Sequence, residues 1–312
     1  YFISTESEVR YGLQVSGYST SLDLITPNNF FSQIDHSTDF AAYIDYNLSK
    51  NRFVFNPGFR FQNYTSLGEN RLEPRLSLKY NMSEKIRLKA SGGTFSQNLI
   101  STNDDTDVVS LFTGFLSSTD NIPSTFQNSE INSLLQTATH YVIGLEYDIL
   151  NNLNINIEGY FKKFNQLIGL NRNKIYEDIP EFSSQLDFLK KDFMIERGDA
   201  RGVDFLLKYN SKKVSIWSVY SFGLVNREDE LQVYSPHYDR THNFNFVFSY
   251  VMDRKKLWDL NIRWNYGSGF PFTQTQAYFE ELDLSNINLT EFINTNGNLG
   301  IIYSDLNEGR LP

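Results

Sequence analysis

The sequence predicts an all-β fold, an antiparallel transmembrane β-barrel with short turns at one rim and long loops at the other. Three observations carry this prediction: strands in which apolar and polar residues alternate, short polar links after every second strand, and long links after the others. Short turns at one rim and longer loops at the other are the rule in transmembrane barrels, whereas a soluble β-sandwich has no reason to sort its links by length.

The alternation is clearest from Leu153 to Phe161, where every odd position is apolar or glycine and every even position is polar. A strand of this kind has one apolar face and one polar face, because its side chains point to opposite sides in turn. In chain order, the same period of two predicts strands in Val9–Val15, Phe40–Leu48, Phe53–Phe61, Leu72–Tyr80, Tyr141–Tyr147 and Phe244–Tyr250. We count about eleven clear strands, with one further partial strand near Leu299 to Tyr303.

The links between these strands fall into two classes of length. The short links are polar and turn-forming, which is typical of hairpins, and they are Ser49–Asn51, Met82–Glu84, Leu150–Asn152, Asn210–Lys212 and Asp253–Lys255. The long links are Ser19–Ser37, Gln97–Thr139, Ile168–Ile195, Arg227–His237 and Ser268–Asn298, with Thr65–Asn70 the one short member of that class. The two classes alternate along the chain, which places all the long links at the same rim.

The composition fits a barrel wall. The chain has 312 residues, 40% of them hydrophobic, and a mean hydropathy of −0.41. It contains no run of about 20 apolar residues, the length that a membrane helix needs, but a barrel strand crosses with about 9 to 11 residues of which only every second one is apolar. The 26 phenylalanines and 19 tyrosines suit the aromatic girdles of a barrel.

The sequence gives little support to catalysis or to nucleic-acid binding. The net charge of −9 without any basic run disfavours nucleic acid, and the absence of cysteine excludes disulfides and thiol chemistry. No nucleophile elbow or phosphate-binding loop is present, so we do not expect an enzyme. We expect no cofactor or metal, although Asp104, Asp105 and Asp107 in the longest link offer oxygen ligands for calcium as an alternative to a solvated acidic loop.

Several blocks of sequence occur in an order that resembles a known family. They are Glu73–Tyr80, Leu88–Gln97, His140–Tyr147, Glu158–Lys163, Gly198–Lys208, Tyr238–Asn243 (Tyr-Asp-Arg-Thr-His-Asn), Tyr266–Thr273 (Tyr-Gly-Ser-Gly-Phe-Pro-Phe-Thr) and Gly309–Pro312. Together they resemble the C-terminal part of the barrel of TonB-dependent outer-membrane receptors. The Phe-Pro-Phe variant and the Asn-rich loops resemble the receptors of Bacteroidota.

This resemblance implies location in the cell outer membrane and TonB-dependent uptake of an extracellular ligand: a siderophore, an oligosaccharide or a peptide. The implied partners are the plug domain of the same full-length protein, TonB with its inner-membrane motor, a surface lipoprotein and outer-membrane lipid, with no nucleic acid. The alternative is a non-transporting outer-membrane barrel that acts as a surface binding or assembly partner. A weaker alternative is a soluble all-β enzyme or lectin.

The family's plug, its TonB-contacting box and its last strands have no counterpart here. We therefore expect residues 1–312 to be a fragment, about 11 or 12 strands of a barrel of about 22. Half a barrel would leave two open edges in lipid, where each unpaired backbone group costs several kcal/mol.

Charged residues on the polar faces are candidates for the barrel interior, since against lipid each would cost about 2 to 4 kcal/mol near the midplane. The candidates facing the lumen or plug are Arg75, Lys79, Arg87, Lys89, Glu146, Glu158, Asp204, Lys208 and Arg263. They either solvate the lumen and hold a plug or line a permeation path. The candidate ligand-binding residues are loop aromatics that stack on a ligand or on one another: Phe112, Phe115, Tyr176, Phe270, Phe272 and Tyr278.

Overall fold

The computed structural model describes residues 1–26, 29–101, 114–117, 121–253, 257–280 and 299–311. Eleven long strands run through this part of the chain: β1 Ser7–Thr26, β2 Asn29–Lys50, β3 Phe53–Tyr64, β4 Glu69–Asn81, β5 Ile86–Gln97, β6 Gln136–Leu150, β7 Leu153–Leu170, β8 Phe193–Asn210, β9 Val214–Glu228, β10 His242–Val251 and β11 Asp259–Gly267. Their number agrees with the number predicted from the alternation.

The remaining described elements are short and lie mostly in the long links. The short strands are Phe2–Ser4, Ile100–Ser101, Phe115–Leu116, Thr125–Phe126, Ser129–Glu130, Val233–Tyr234, Pro271–Phe272, Thr275–Glu280, Leu299–Tyr303 and Gly309–Arg310. A single 3₁₀ turn covers Pro180–Phe182, and one α-helical turn covers Asp187–Lys190. Among the described residues, no helix has the length and apolarity that crossing a membrane requires.

The long strands form one antiparallel sheet in chain order, each paired with the strands before and after it. The register aligns positions of the same face into rows across the sheet. In one row Ile143 lies opposite Ala90 and Gly159, and Gly159 lies opposite Val203. Within the described residues the two edges of the sheet, Phe2–Ser4 and β11, are not paired with each other, so the sheet is an open wall.

The apolar positions of the strands share one face of the wall and stay exposed on it. Leu13 is 87% exposed and Ile143 is 68% exposed. Other exposed members of this apolar belt are Val15, Phe40, Ile44, Phe55, Phe59, Phe61, Leu76, Leu78, Leu88, Tyr141, Leu145, Phe161, Phe205, Ile262 and Trp264. Since a soluble sandwich buries such residues between two layers, the exposed belt confirms the predicted membrane wall.

The short turns lie where the sequence predicted them. Residues 51–52, 82–85, 151–152 and 211–213 separate the strands at one rim. Of the fifth predicted turn, Asp253–Lys255, residues 254 and 255 lie outside the described residues. Asn51 has a φ of 54°, a left-handed conformation that asparagine tolerates better than most residues, and it lets β2 reverse into β3 within two residues.

Two predictions about the opposite rim are wrong in detail. Ser19–Ser37 is not an irregular loop, because β1 and β2 stay paired up to Thr26 opposite Asn29. The segment lacks apolar alternation since it lies beyond the apolar belt, yet its backbone continues the hairpin. Leu299–Tyr303 is a strand, but it pairs with Thr275–Glu280 in a separate two-stranded sheet rather than extending the wall.

The buried hydrophobic cluster of the described residues lies where the long links leave the wall. It consists of Ile100, Leu116, Phe126, Ile168, Phe193 and Ile195, with Ile122, Ile131 and Leu170 packed against it. Three of the six buried members belong to the ends of β7 and β8, and the other three belong to the long link between β5 and β6. The cluster therefore packs that link against the rim of the wall.

Candidate functional site

A cavity of about 410 Å³ lies at the long-loop rim, at the ends of β5 to β9. Its lining includes the apolar residues Phe115, Ile168 and Leu170. It also includes the charged residues Arg172, Glu196 and Arg227. The hydrophobic cluster holds Ile168 in place, so this cavity has a packed base. It is the candidate functional site.

The charged residues of the cavity belong to a buried network centred on Arg172. Arg172 Nη1 donates to Glu196 Oε1 at 3.1 Å, and its Nη2 donates to Asp229 Oδ2. Tyr234 donates its hydroxyl to Glu196 Oε1 at 2.7 Å, and Arg227 Nη1 contacts Glu196 Oε2 at 3.3 Å. The side chains of Arg172, Glu196 and Asp229 are only 7%, 2% and 0% exposed. We call these five residues the rim network.

The rim network keeps its arginine charged. Burial by itself lowers the pKa of Arg172, but the facing Tyr234, Glu196 and Asp229 raise that pKa above its ordinary value. A planar guanidinium satisfies two carboxylates at once, which a lysine ammonium on a flexible stem does less well. The network is therefore a fixed pair of cations and a fixed pair of anions, of which Arg172, Arg227 and Glu196 line the cavity.

The network also joins separate segments of the chain. Asp229 Oδ1 accepts hydrogen bonds from the backbone N–H groups of Leu231 and Gln232, at 2.7 and 2.8 Å. Arg227 Nη2 donates to the hydroxyl of Tyr238 at 2.9 Å. Arg172 belongs to the link after β7, Glu196 to β8, and Asp229 to the link after β9. The loops around the cavity are consequently fixed to the wall and to one another.

Gln136 joins two other segments that line the cavity. Its Nε2 donates to the carbonyl oxygen of Leu99 at 2.6 Å, and its Oε1 accepts from the N–H of Ile168 at 3.3 Å. Gln97 Nε2 donates to the same Leu99 carbonyl at 3.1 Å. These amide contacts hold the start of the longest link beside the end of β7.

The link between β7 and β8 is held by ion pairs and hydrogen bonds of its own. Lys174 pairs with Asp192 at 2.8 Å, and Lys191 pairs with Asp178 at 2.8 Å. Asp187 Oδ2 accepts from the N–H and the hydroxyl of Ser124, at 3.0 and 2.9 Å. Partial burial acts to raise the pKa of Asp187, but these hydrogen bonds and Lys190 outweigh it, so the net pKa lies below its ordinary value.

The nine charged residues predicted for the interior all lie on the face opposite the apolar belt, as the register of their strands shows. Three of them form a cluster: Arg87 pairs with Glu146 at 2.8 Å, and Lys89 pairs with Glu146 at 2.7 Å. Arg75 pairs with the buried Glu73 at 2.8 Å. The other five, Lys79, Glu158, Asp204, Lys208 and Arg263, are spread along the same face. Their proposed role toward a plug or a permeation path stays a prediction.

The predicted ligand-binding aromatics do not come together in one site. Phe115 lines the cavity. The ring of Tyr176 packs on Phe182, with centroids 5.0 Å apart, and Phe270 lies 4.0 Å from the Arg240 guanidinium. Phe272 belongs to the short strand opposite Gly309–Arg310, and Tyr278 belongs to the two-stranded sheet that stands apart from the wall. Phe112 lies outside the described residues.

The calcium prediction at Asp104, Asp105 and Asp107 also lies outside the described residues. Within the residues that are described, no group of three or more His, Asp or Glu side chains is placed to hold a metal ion.

Sequence reasoning missed the rim network. Its members lie in β8, in β9 and in the links after β7 and β9, and in the sequence its charged members look like any other charged residues near a polar link. The available signal was the position of Arg172, Glu196 and Asp229 within a few residues of a strand end, since strand ends at one rim converge in space.

Comparison with known proteins relates this wall to one family. The family model described as TonB dependent receptor-like, beta-barrel matches residues 3–298. A mutant of the ferric enterobactin receptor PfeA from Pseudomonas aeruginosa is 11% identical with a TM-score of 0.57, and the match covers 86% of this chain and 40% of that chain. The FrpB iron transporter from Neisseria meningitidis, in its apoprotein form, is 10% identical with a TM-score of 0.56, over 86% of this chain and 43% of that chain.

A third similar structure is the complex of FpvAI with pyocin S2, which is 12% identical with a TM-score of 0.54, over 97% of this chain and 38% of that chain. At these identities the likeness shows the fold alone. The chain spans about two fifths of the length of these structures. No curated protein matches it significantly in sequence.

Proposed function

The chain belongs to the TonB-dependent receptor β-barrel family of the outer membrane, and we propose that it works in TonB-dependent uptake of an extracellular ligand. In this proposal the apolar belt faces lipid, the charged face lines the barrel interior, and the rim cavity receives the ligand on the extracellular side. The observation that carries it is the rim network, a buried set of charges built beside an apolar surface at the long-loop rim.

The shape and chemistry of the cavity support binding at this place. Ligand sites are concave and mostly apolar, with a few fixed polar groups that orient the ligand. Phe115 offers a ring for stacking, and the guanidinium of Arg227 offers hydrogen-bond donors. Since the carboxylates of the network neutralise its arginines, the cavity suits a ligand with both apolar and hydrogen-bonding groups more than a simple anion.

The ligand classes are those that the sequence left open: a siderophore, an oligosaccharide or a peptide. Siderophores come first, because the similar structures include a ferric enterobactin receptor and an iron transporter. Ligands of this class combine aromatic or amide surfaces with metal-binding oxygens. Such a surface matches the mixed lining of the rim cavity.

The proposal includes partners for the whole protein. The charged interior face, with Arg87, Lys89 and Glu146 as its densest cluster, provides a polar surface against which a plug domain packs. TonB and the inner-membrane motor would act on that plug, and a surface lipoprotein would cover the long loops. No covalent chemistry by this chain is required.

A second function is a surface barrel that binds a partner protein without transport. The observation in its favour is the complex of FpvAI with pyocin S2, a similar barrel in which a protein partner is bound. The separate hairpin of Thr275–Glu280 and Leu299–Tyr303 is the surface that would serve this function, because Ile301, Ile302 and Tyr303 are exposed on it.

The test is uptake by the intact receptor in cells that lack other receptors, with functional TonB or without it. Radiolabelled ferric enterobactin, ferric citrate, a maltodextrin and a tripeptide are the probes. We expect one probe to bind in both strains and to accumulate only in the strain with TonB. Binding without accumulation in either strain supports the second function, and TonB-independent accumulation contradicts the proposal.

A further inference from the structure

The lipid-facing side of the wall contains a groove of about 470 Å³ whose lining is almost wholly apolar. It runs over β6, β7, β8 and β9, and its sides include Tyr141, Ile143, Phe161 and Phe222. Its floor is Gly159, which lies between Ile143 and Val203 in one row of the sheet. Every neighbour of Gly159 in this row has a side chain that stands out from the wall, so the glycine leaves a gap in the belt.

The gap is not required by the backbone. A Cβ atom placed on Gly159 would meet Ile143 Cγ1 at 3.7 Å and the carbonyl oxygen of Gly202 at 4.0 Å, which are ordinary contacts. By contrast, a Cβ atom on Gly202 would lie 2.4 Å from the carbonyl oxygen of Phe222. Gly202 is thus needed for close packing, whereas Gly159 has room for a side chain and keeps the groove open.

Two cations lie at the end of the groove nearest the long-loop rim, on the lipid-facing side, and one of them, Arg201, belongs to the lining of the groove. Arg201 is opposite Phe161 in the row next to that of Gly159, and Lys163 lies in the row beyond it, opposite Asp199. Both side chains are exposed. In the described part of the chain neither forms an ion pair, and Asp199 Oδ2 has no hydrogen-bond partner. The interior arginines Arg75 and Arg87 differ, since both are paired with carboxylates.

The position of these cations corresponds to the level of lipid headgroups. The row of Tyr141, Phe161 and Leu224 is apolar apart from Arg201, and the next row toward the long-loop rim contains Thr139, Lys163, Asp199 and Asn226. The outer face changes from apolar to polar between these rows. A cation at this boundary extends to the headgroup region, where its cost falls to about 0 to 1 kcal/mol.

An apolar groove with unpaired cations at its headgroup end is complementary to one kind of molecule. We propose that the groove binds an acyl chain of a phosphate-bearing anionic membrane lipid, with the lipid phosphate on Arg201 and Lys163. Arginine and lysine both bind phosphate, and basic residues next to a membrane attract anionic lipids. Gly159 provides the space for the chain, and the cations select the headgroup.

The test is native mass spectrometry of the intact receptor in detergent, titrated with phosphatidylglycerol or with phosphatidylcholine of the same acyl chains. We expect the wild-type protein to retain one phosphatidylglycerol in preference to phosphatidylcholine. Arg201→Gln should weaken phosphatidylglycerol binding about fivefold and leave phosphatidylcholine unchanged, because one basic residue is lost. Gly159→Leu should weaken both lipids by filling the groove, and Gly159→Ala is the milder variant if the leucine impairs assembly.

Lys162→Gln is the matched control, because Lys162 neighbours Lys163 in the chain but lies on the interior face, near the ring of Tyr160. It should leave lipid binding unchanged. Equal retention of the two lipids by the wild-type protein, an equal loss in Lys162→Gln and Arg201→Gln, or displacement of the lipid by inorganic phosphate would overturn the proposal. These outcomes are independent of ligand uptake, so they leave the proposed function untouched.

Discussion

Arg172→Met is the substitution that most strongly tests the rim network. It keeps an extended side chain but leaves the carboxylates of Glu196 and Asp229, which are 2% and 0% exposed, without their main cation. Breaking a buried ion pair by removing one partner costs about 3 to 5 kcal/mol. Since the network joins loops rather than the strands of the wall, this cost should appear as local opening of the rim.

The assay is hydrogen exchange, followed by mass spectrometry, on peptides that cover residues 171–192 and 229–237. A loss of about 3 to 5 kcal/mol would increase the open population of these loops by roughly two to four powers of ten. Lys174→Met is the matched control, because Lys174 also pairs with two carboxylates but is 25% exposed. Partly exposed pairs contribute about 0 to 1 kcal/mol, so its effect should be small.

A second variant separates charge from shape. Adding Glu196→Gln and Asp229→Asn to Arg172→Met removes the uncompensated carboxylates, and we expect it to restore part of the protection. The amide that replaces the Asp229 carboxylate would still accept the backbone hydrogen bonds of its turn through its oxygen. Equal exchange in Arg172→Met and Lys174→Met, or no recovery in the triple variant, would refute the account of the network as compensated buried charge.

Three further predictions concern the loops and the wall. The pKa of Asp187 is lower in the folded protein than its ordinary value of about 3.9. The ionised carboxylate therefore contributes stability that is fully present above that ordinary pKa and is lost as the pH falls through the lower pKa of the folded state. Exchange of residues 171–192, corrected for intrinsic rates, should therefore rise below pH about 4, and Asp187→Asn should abolish that rise. Phe126 is 1% exposed, so Phe126→Ala should lower the local stability by about 3 to 5 kcal/mol, as measured by hydrogen exchange of residues 121–131. A loss as small as that of Phe115→Ala would contradict the place of Phe126 in the buried cluster. Leu76→Arg places a charge against lipid at a cost of about 2 to 4 kcal/mol and should block membrane assembly, whereas Ser77→Arg should assemble. Assembly is judged by heat-modifiable migration of the folded barrel, and equal outcomes would contradict the distinction between the lipid-facing and interior faces.

The wall could be predicted from the sequence because lipid imposes a simple rule on it. From Leu153 to Phe161 each second side chain faces hydrocarbon, so the period of two is visible without any knowledge of neighbours. The rule ends where the lipid ends. Ser19 to Ser37 carries no such pattern, and its pairing depends on backbone hydrogen bonds that any sequence offers. Leu299–Tyr303 has strand-like residues, but its partner is set by tertiary structure.

The site was less predictable for a related reason. Arg172, Glu196 and Asp229 come together because the ends of β7, β8 and β9 lie side by side, and the loop conformations then decide which charges meet. Of the predicted loop aromatics in the described residues, Phe115 alone lines the rim cavity, although Tyr176 and Phe270 are equally aromatic in sequence. Residue type indicated the chemistry, while placement required the fold.

A single-cysteine scan of residues 153–161 tests the central claim most directly, because the chain has no native cysteine to interfere. Each variant of the intact receptor carries a spin label in a lipid bilayer, and the label's collision rates with oxygen and with a water-soluble nickel complex are measured. We expect oxygen contact to peak at Leu153, Ile155, Ile157, Gly159 and Phe161, and nickel contact to peak at the positions between them. Collision rates that vary without a period of two, or nickel maxima at the odd positions, would contradict a wall with one face in lipid and the other in water.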